Sequence, residues 1–188
     1  MLCDVEHLDT AALEAGLAEI RRAPRDTGTV ELVVRRPSPE VREVVGEAQL
    51  DPTAGLVGDC WLERGSRATE DGAAHPDMQL TMMSARAAAL IAGSHERWPL
   101  AGDQLYVDLD ISTANLPPGT RLEVGSAAIE ITDQPHTGCG KFVRRFGLDA
   151  MRFVNTQVGR ELNLRGTYAR IVTAGTVRTG DPIRKLSP

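Results

Sequence analysis

The stretch LPPGTRLEVGSAAIEI, Leu116–Ile131, decides the fold class that this sequence predicts. Apolar and polar residues alternate within Thr120–Val124 and again within Ala127–Ile131, and Gly125 and Ser126 separate the two segments. A period of two is typical of β-strands with one buried face, and a glycine-containing connection is typical of a tight turn. The stretch therefore predicts two neighbouring strands of a bent sheet.

Further strands are predicted on both sides of this stretch. Their segments are short, rich in aliphatic or β-branched residues and bounded by turn residues. They are Thr29–Arg36, Leu80–Met83, Leu105–Leu109, Tyr168–Thr173 and Ile183–Leu186. Together they indicate a mostly β (α+β) fold in which a closed or strongly bent sheet carries a few helices.

Three segments predict helices, and one predicts a long loop. Leu8–Arg22 is amphipathic, Ser84–Gly93 is an Ala-rich segment with a capping serine and a terminating glycine, and Phe142–Leu162 has helical spacing with a break near Gly147. The polar segment Glu63–Asp77 lacks periodicity and predicts a surface loop. With 188 residues, the chain suits one domain with an appendage. We predict a helical N-terminal extension at residues 1–28 and the domain proper at 29–188.

The composition excludes several classes of protein. Hydrophobic residues make up 41% of the chain and charged residues 25%, which is ordinary for a soluble globular protein. The net charge of -5 and the 4% of aromatic residues argue against a nucleic-acid partner. No apolar run approaches the roughly 18 residues that cross a bilayer, and the acidic opening differs from a signal peptide. We therefore expect a cytoplasmic protein with no membrane partner.

The charge is unevenly distributed along the chain. From Pro135 onward there are ten Lys or Arg residues against three Asp or Glu residues, so the acidic excess lies in the preceding part. Clustered positive charge attracts anionic ligands, although the charges can equally interleave with acidic residues after folding. Cys3, Cys60 and Cys139 are widely spaced and odd in number, which favours reduced thiols over a disulfide framework.

Three passages, in this order and spacing, resemble the MOSC domain family, the module named after the C-terminal part of molybdenum-cofactor sulfurase. They are Gly55–Asp59, Leu116–Gly125 and Pro135–Phe142, and the ending Gly166–Arg184 matches as well. The resemblance covers roughly Thr29–Lys185. It implies a MOSC-type mixed β-barrel with a few peripheral helices and an exposed cysteine beside a pocket for molybdenum cofactor.

In the family, that cysteine carries sulfur as a persulfide or binds molybdenum as a thiolate, and the matching position is Cys139. Small relatives reduce N-hydroxylated compounds, so the resemblance implies either that reduction or sulfur transfer. Two loops depart from the family pattern. Cys60 follows Gly-Asp where many relatives have a basic residue, and Gly102–Gln104 stands where many have Gly-Glu-Asn. The cofactor contacts of these loops are therefore not carried over.

The residues around Cys139 suit this chemistry. A cysteine acts as a nucleophile or a soft-metal ligand only as the thiolate, which neighbouring positive charge favours. Lys141, Arg144 and Arg145 follow closely and supply such charge. These three residues and Arg165, which comes later in the chain, are candidates for binding the cofactor, and the three arginines are candidates for clamping its phosphate. The alternative is that Cys139 is an inert buried thiol.

Three neighbours of Cys139 complete the predicted site. Gly138 and Gly140 flank the cysteine and remove side-chain bulk, so that a large ligand can approach the backbone. His136 is a candidate proton shuttle or thiol-polarising group. Alternatively, Pro135-His136 only shapes the turn. Both interpretations remain open from the sequence.

Other functional classes fit parts of the same sequence. In a zinc-binding structural module, His136 and Cys139 pair with His75, His95 or Cys60, but strong zinc sites have two short ligand spacings and this chain has one. A non-catalytic carrier or interaction domain shares every motif with the enzyme. Pyridoxal phosphate is not expected, because that chemistry needs a Schiff-base lysine in a separate large domain. A reductase needs a separate redox partner, since the chain has neither an iron–sulfur cysteine cluster nor a dinucleotide fingerprint.

Overall fold

The computed structural model describes residues 7–186, so Cys3 lies outside the described residues. Within this range there are eleven strands: β1 (Thr27–Arg35), β2 (Glu43–Val45), β3 (Glu47–Asp51), β4 (Gly55–Leu56), β5 (Leu80–Ser84), β6 (Leu105–Asp108), β7 (Arg121–Val124), β8 (Ala127–Ile131), β9 (Thr167–Thr173), β10 (Gly175–Arg178) and β11 (Pro182–Lys185). Seven of them form a closed barrel in the order β11-β7-β8-β9-β5-β6-β1, because β1 pairs back onto β11. The β5–β6 pair is parallel and its neighbours are antiparallel, so the barrel is mixed.

The remaining strands extend this barrel. β2 pairs with the end of β1, and β10, β3 and β4 form a small antiparallel sheet of their own. The mostly β, α+β prediction and the barrel implied by the resemblance are both confirmed. The sequence patterns did not predict β3 and β10. β10 contains one apolar side chain, Val177, which is buried. A single residue separates β10 from the end of β9.

The helices lie outside the barrel: α1 (Thr10–Ala15), α2 (Leu17–Ile20), α3 (Trp61–Arg64), α4 (Ala85–Ala92), α5 (Gly140–Asn155) and α6 (Gln157–Glu161), with 3-10 helices at Pro76–Met78 and His95–Ala101. The predicted break at Gly147 is present, since that residue has φ 87° and ψ 168°. The predicted N-terminal helix is interrupted at Gly16. A Cβ at Gly16 would lie 2.5 Å from the Leu90 side chain, so this position packs closely against α4.

Two apolar clusters hold the elements together. One fills the barrel and includes Val30, Met82 and Ile129; the other lies between the barrel and the helices and includes Leu13, Met83 and Phe146. Met82 and Met83 therefore face opposite sides of β5, as the strand prediction requires, and both are fully buried. Because Leu13 belongs to the second cluster, the N-terminal helices are packed onto the domain. None of the helices within residues 7–186 has the length and apolar character needed to cross a membrane.

Candidate functional site

Cys139 lies at the start of α5, after the loop that leaves β8. It is the N-cap residue of α5, its backbone is extended (φ -128°, ψ 179°), and its side chain is exposed. The alternative that Cys139 is a buried thiol is therefore wrong. The sulfur lies at the N-terminal end of α5, beside the backbone amides of Lys141 and Phe142. An exposed sulfur beside helix N-terminal amides is placed to act as a thiolate.

The loop before Cys139 is fixed by Asn155, at the far end of α5. The Gly138 amide donates to Asn155 Oδ1 at 3.0 Å, and Asn155 Nδ2 donates to the Gly138 carbonyl at 3.2 Å. A Cβ at Gly138 would lie 2.9 Å from Val154 Cγ2, so this glycine is needed for packing against α5. Gly140 faces open space, because a Cβ there would have no heavy atom within 4 Å. Neither glycine lines the cavity onto which Cys139 opens.

Cys139 opens onto a cavity of about 190 Å³ whose wall is strongly cationic. Six of the lining residues carry positive charge: Arg36, Arg42, Arg64, Lys141, Arg145 and Arg165. His136, Phe142 and Tyr168 also line it, together with Thr81, Ala101 and Gly102. The wall is assembled from the end of β1, α3, α5 and the segment before β9, so distant parts of the chain meet here.

The structure brings together most of the predicted site residues. His136, Lys141, Arg145 and Arg165 line the cavity with Cys139. Arg144 does not line it and is exposed. The reason lies in the helical phase: Lys141 and Arg145 are four residues apart and share one face of α5, whereas Arg144 is rotated about 100° from Arg145.

Three cavity cations were not predicted from the sequence. Arg36, Arg42 and Arg64 lie in the acidic N-terminal part of the chain, far from Cys139 in sequence. Arg64 is the last residue of α3 and follows Cys60 by four residues. The pairing of β1 and β6 places Arg36 beside the Gly102 carbonyl, to which its Nη1 donates at 2.9 Å.

Three carboxylates form ion pairs with four of the six cations. Asp59 pairs with Arg36 at 2.8 Å, Asp103 pairs with Arg165 at 2.7 Å, and Glu40 pairs with both Lys141 and Arg145. Within residues 7–186, Arg42 and Arg64 have no carboxylate within 4.0 Å. The Arg42 Nε is buried without a hydrogen-bond partner. Burial lowers the pKa of Arg42, and the charges of Arg145 and Arg36 lower it further. The cavity thus has an excess of positive charge.

The same surroundings act on the Cys139 thiol. Burial raises its pKa, but the neighbouring amides of Phe142 and Lys141 and the charges of Arg165 and Lys141 outweigh burial, so the pKa is lowered. Alkylation by iodoacetamide should therefore show a midpoint below the ordinary cysteine pKa of about 8.5. The rate is measured by peptide mass spectrometry between pH 5 and 10. A midpoint above 9 would contradict this assignment.

His136 lies on the cavity wall beside a buried carboxylate and a tyrosine ring. Its side chain is 11% exposed, its Nδ1 lies 3.7 Å from Asp103 Oδ1, and its ring lies 4.6 Å from the Tyr168 ring, centroid to centroid. Neither Nδ1 nor Oδ1 has a hydrogen-bond partner within the described residues. Burial lowers the pKa of His136 well below 6.5, and the charges of Arg165 and Arg36 lower it further. The imidazole is therefore neutral at pH 7.

Gln104 and Asp103 occupy the loop that departs from the family pattern. Gln104 Oε1 accepts hydrogen bonds from the Thr81 amide at 2.7 Å and from Thr81 Oγ1 at 2.6 Å, so Gln104 connects β5 and β6. Burial raises the pKa of Asp103, while the charges of Arg165, Arg36 and Arg42 oppose that change. Gln104 is thus structural, and Asp103 positions Arg165 on the cavity wall.

A second cavity of about 230 Å³ adjoins the first. The two share His136 and Arg165, and the second is lined mainly by apolar groups such as Leu116, Pro118 and Ile131. No group of three His, Cys, Asp or Glu side chains within residues 7–186 is arranged to hold a metal ion. The zinc-module alternative therefore has no ligand set in the described part of the chain.

Comparisons with known proteins agree with the barrel fold. The family model for the MOSC domain matches residues 69–184. YuaD of Bacillus subtilis has a similar structure with a TM-score of 0.60 and 19% identity, covering 86% of this chain and 97% of that chain. YiiM of Escherichia coli gives a TM-score of 0.54 at 21% identity, covering 85% and 70% of the two chains. YiiM of Geobacillus stearothermophilus gives 0.58 at 12% identity, covering 85% and 75%. No curated protein matches the sequence.

Proposed function

This chain belongs to the MOSC domain family, and we propose that it binds molybdenum cofactor in the Cys139 cavity. Cys139 then serves as the molybdenum ligand or as the carrier of a persulfide sulfur. The family is generally associated with this cofactor. The observation that carries the proposal is an exposed cysteine with a lowered pKa on a cavity lined by six cations.

The cavity residues fit the chemistry of the cofactor. Its pterin carries a dithiolene and a phosphate, so it offers soft sulfur donors for the metal and a strong negative charge for the protein. A thiolate is a soft ligand, and arginines bind phosphate oxygens through paired N–H groups. The buried Nε atoms of Arg42 and Arg165 lack partners within the described residues, as do Asp103 Oδ1 and His136 Nδ1. These unsatisfied polar atoms beside the cavity favour a polar ligand.

Each cavity residue has a distinct task in this proposal. Cys139 presents the reactive sulfur, and the amides of Lys141 and Phe142 stabilise it as the thiolate. Lys141 and Arg145 supply positive charge from α5, while Arg36 and Arg165 do so from the barrel side, each held by a buried carboxylate. His136 lines the cavity as a neutral imidazole, and we assign to it the role of a proton shuttle. When bound, the cofactor supplies the oxygen or sulfur exchange and the electron transfer.

The proposed reaction is sulfur transfer or the reduction of N-hydroxylated small molecules. Reduction consumes electrons, so a separate redox protein is the partner in that case. The Cys139 sulfur lies at the surface, where a partner protein or a small substrate can reach it. A non-catalytic carrier would bind the cofactor equally well, but it would show neither cyanide-releasable sulfur turnover nor reduction of an N-hydroxylated compound when electrons are supplied.

The chain provides a matched pair of variants to test the cofactor cavity, since Lys141 and Lys185 are its two lysines. Lys141 lines the cavity, whereas Lys185 is an exposed residue of β11 whose Nζ donates to the Asn115 carbonyl. Lys141→Glu should lower the pterin retained after gel filtration by about tenfold or more, because it reverses a charge beside the cofactor phosphate. Lys185→Glu should retain the native amount. Equal retention by both variants would contradict binding in this cavity.

A further inference from the structure

One acidic side chain, Glu40, forms ion pairs with two cations at the rim of the Cys139 cavity. Glu40 Oε1 accepts from Lys141 Nζ at 2.6 Å, and Glu40 Oε2 accepts from Arg145 Nη2. Glu40 reaches them from the loop after β1, about 100 residues away in sequence. Both cations line the cavity and stand one turn apart on α5. The carboxylate therefore marks a position where two cations converge on one anion.

The backbone at Glu40 is unusual for a residue of this type. Its φ is 67°, in the left-handed region that costs free energy for residues other than glycine. Glu40 is one of two residues other than glycine with a positive φ within residues 7–186. Its side chain remains 53% exposed, so water competes for its ion pairs. Because the Glu40 backbone is strained and its carboxylate is exposed, an anion that binds Lys141 and Arg145 more tightly can displace it.

We propose that Lys141 and Arg145 form a phosphate-binding subsite at the rim of the Cys139 cavity, and that Glu40 occupies this subsite in the free protein as a built-in competitor. This inference rests on the proposed function and deepens it, because the phosphate belongs either to the cofactor or to a phosphate-bearing substrate. Binding is an exchange of one anion for another: the phosphate displaces the Glu40 carboxylate, which turns to solvent.

The surroundings of the subsite favour the exchange. Arg145 Nη1 also donates to the Leu100 carbonyl at 2.7 Å, so the guanidinium stays in place when Glu40 leaves. Arg42 follows Glu40 by two residues, lines the cavity and has an unpartnered buried Nε. A phosphate carries more charge and more acceptor oxygens than a carboxylate. The pKa of Glu40 is lowered to about 2, first by its hydrogen bond with Lys141 and then by Arg145, so protonation does not release it near neutral pH.

The test is isothermal titration of inorganic pyrophosphate into the full chain, made in a host unable to synthesise the cofactor. Glu40→Gln should bind about tenfold more tightly than the native chain, because a network of exposed ion pairs no longer has to be broken. Glu47→Gln is the matched control. Glu47 forms a comparable exposed pair with Arg178, away from the cavity, and its side chain is 52% exposed. The control should bind like the native chain.

Further variants and a second titration test whether Lys141 and Arg145 form the subsite and where its phosphate comes from. Adding Lys141→Ala and Arg145→Ala to Glu40→Gln should abolish the gain. Unchanged or weaker binding by Glu40→Gln would overturn the competitor role, and no pyrophosphate binding by any variant would overturn the subsite. Titration of cofactor-loaded protein identifies the source: blocked binding assigns the subsite to the cofactor phosphate, and retained binding assigns it to a substrate. If protein from a competent host contains no pterin while pyrophosphate still binds, the proposed function fails and the subsite stands.

Discussion

Replacing Asp59 with Ala is expected to lower the free energy of unfolding by about 3–5 kcal/mol, because it leaves a buried guanidinium without its counter-charge. The Asp59 side chain is fully buried and accepts four hydrogen bonds. Three come from the backbone amide, Nε and Nη2 of Arg36, and one comes from the Trp61 amide. The loss is measured by urea denaturation followed by circular dichroism.

Two further variants show whether the loss is specific to the buried Arg36–Asp59 ion pair. Glu47→Ala removes one partner of an exposed ion pair and should change the unfolding free energy by less than about 1 kcal/mol. Combining Arg36→Met with Asp59→Ala should recover part of the loss, since no charge is then left unpaired. The recovery is incomplete because two backbone amides still lack their acceptor. A loss below about 1 kcal/mol for Asp59→Ala would contradict this description of the pair.

Replacing Cys139 with Ala is expected to reduce sulfur transfer or N-hydroxyl reduction at least about hundredfold, since no other group in the cavity offers a thiolate. The fold should be nearly unaffected because the thiol is exposed. Activity is measured with an excess electron donor or as cyanide-releasable sulfur, alongside thermal unfolding. Cys60→Ala is the control: the Cys60 side chain is buried and does not line the cavity, so activity should remain within about threefold of native. Equal losses in both variants would assign the effect to folding.

Local patterns predicted much of the fold. The alternation in Thr120–Val124 and Ala127–Ile131 predicted β7 and β8, and the Ser84 cap with the Gly93 stop predicted α4. These signals are local because burial of one face fixes the period of each element. The interruption at Gly16 was not predictable in the same way. Gly16 packs against Leu90, more than 70 residues away, and only the packed structure brings these two residues close.

The residues of the candidate site also differ in whether the local sequence predicted them. Cys139, His136 and Lys141 belong to one short passage and were predicted together. Arg36 and Arg42 were not, because they reach the cavity only after β1 closes the barrel. These residues precede the segment that the family model matches, residues 69–184. The rim of the cavity that contains Glu40 and Arg42 is therefore built by the part of this chain ahead of the matched segment.

The most direct test of the central claim is the molybdenum and pterin content of the native chain and of Cys139→Ala, both purified from a cofactor-competent host. We expect the native chain to retain near-equimolar pterin together with molybdenum or with cyanide-releasable sulfur. The variant should keep the cationic cavity and lose the metal or the sulfur. Native protein with no pterin, no molybdenum and no releasable sulfur would contradict the assignment of Cys139 and its cavity as the functional centre.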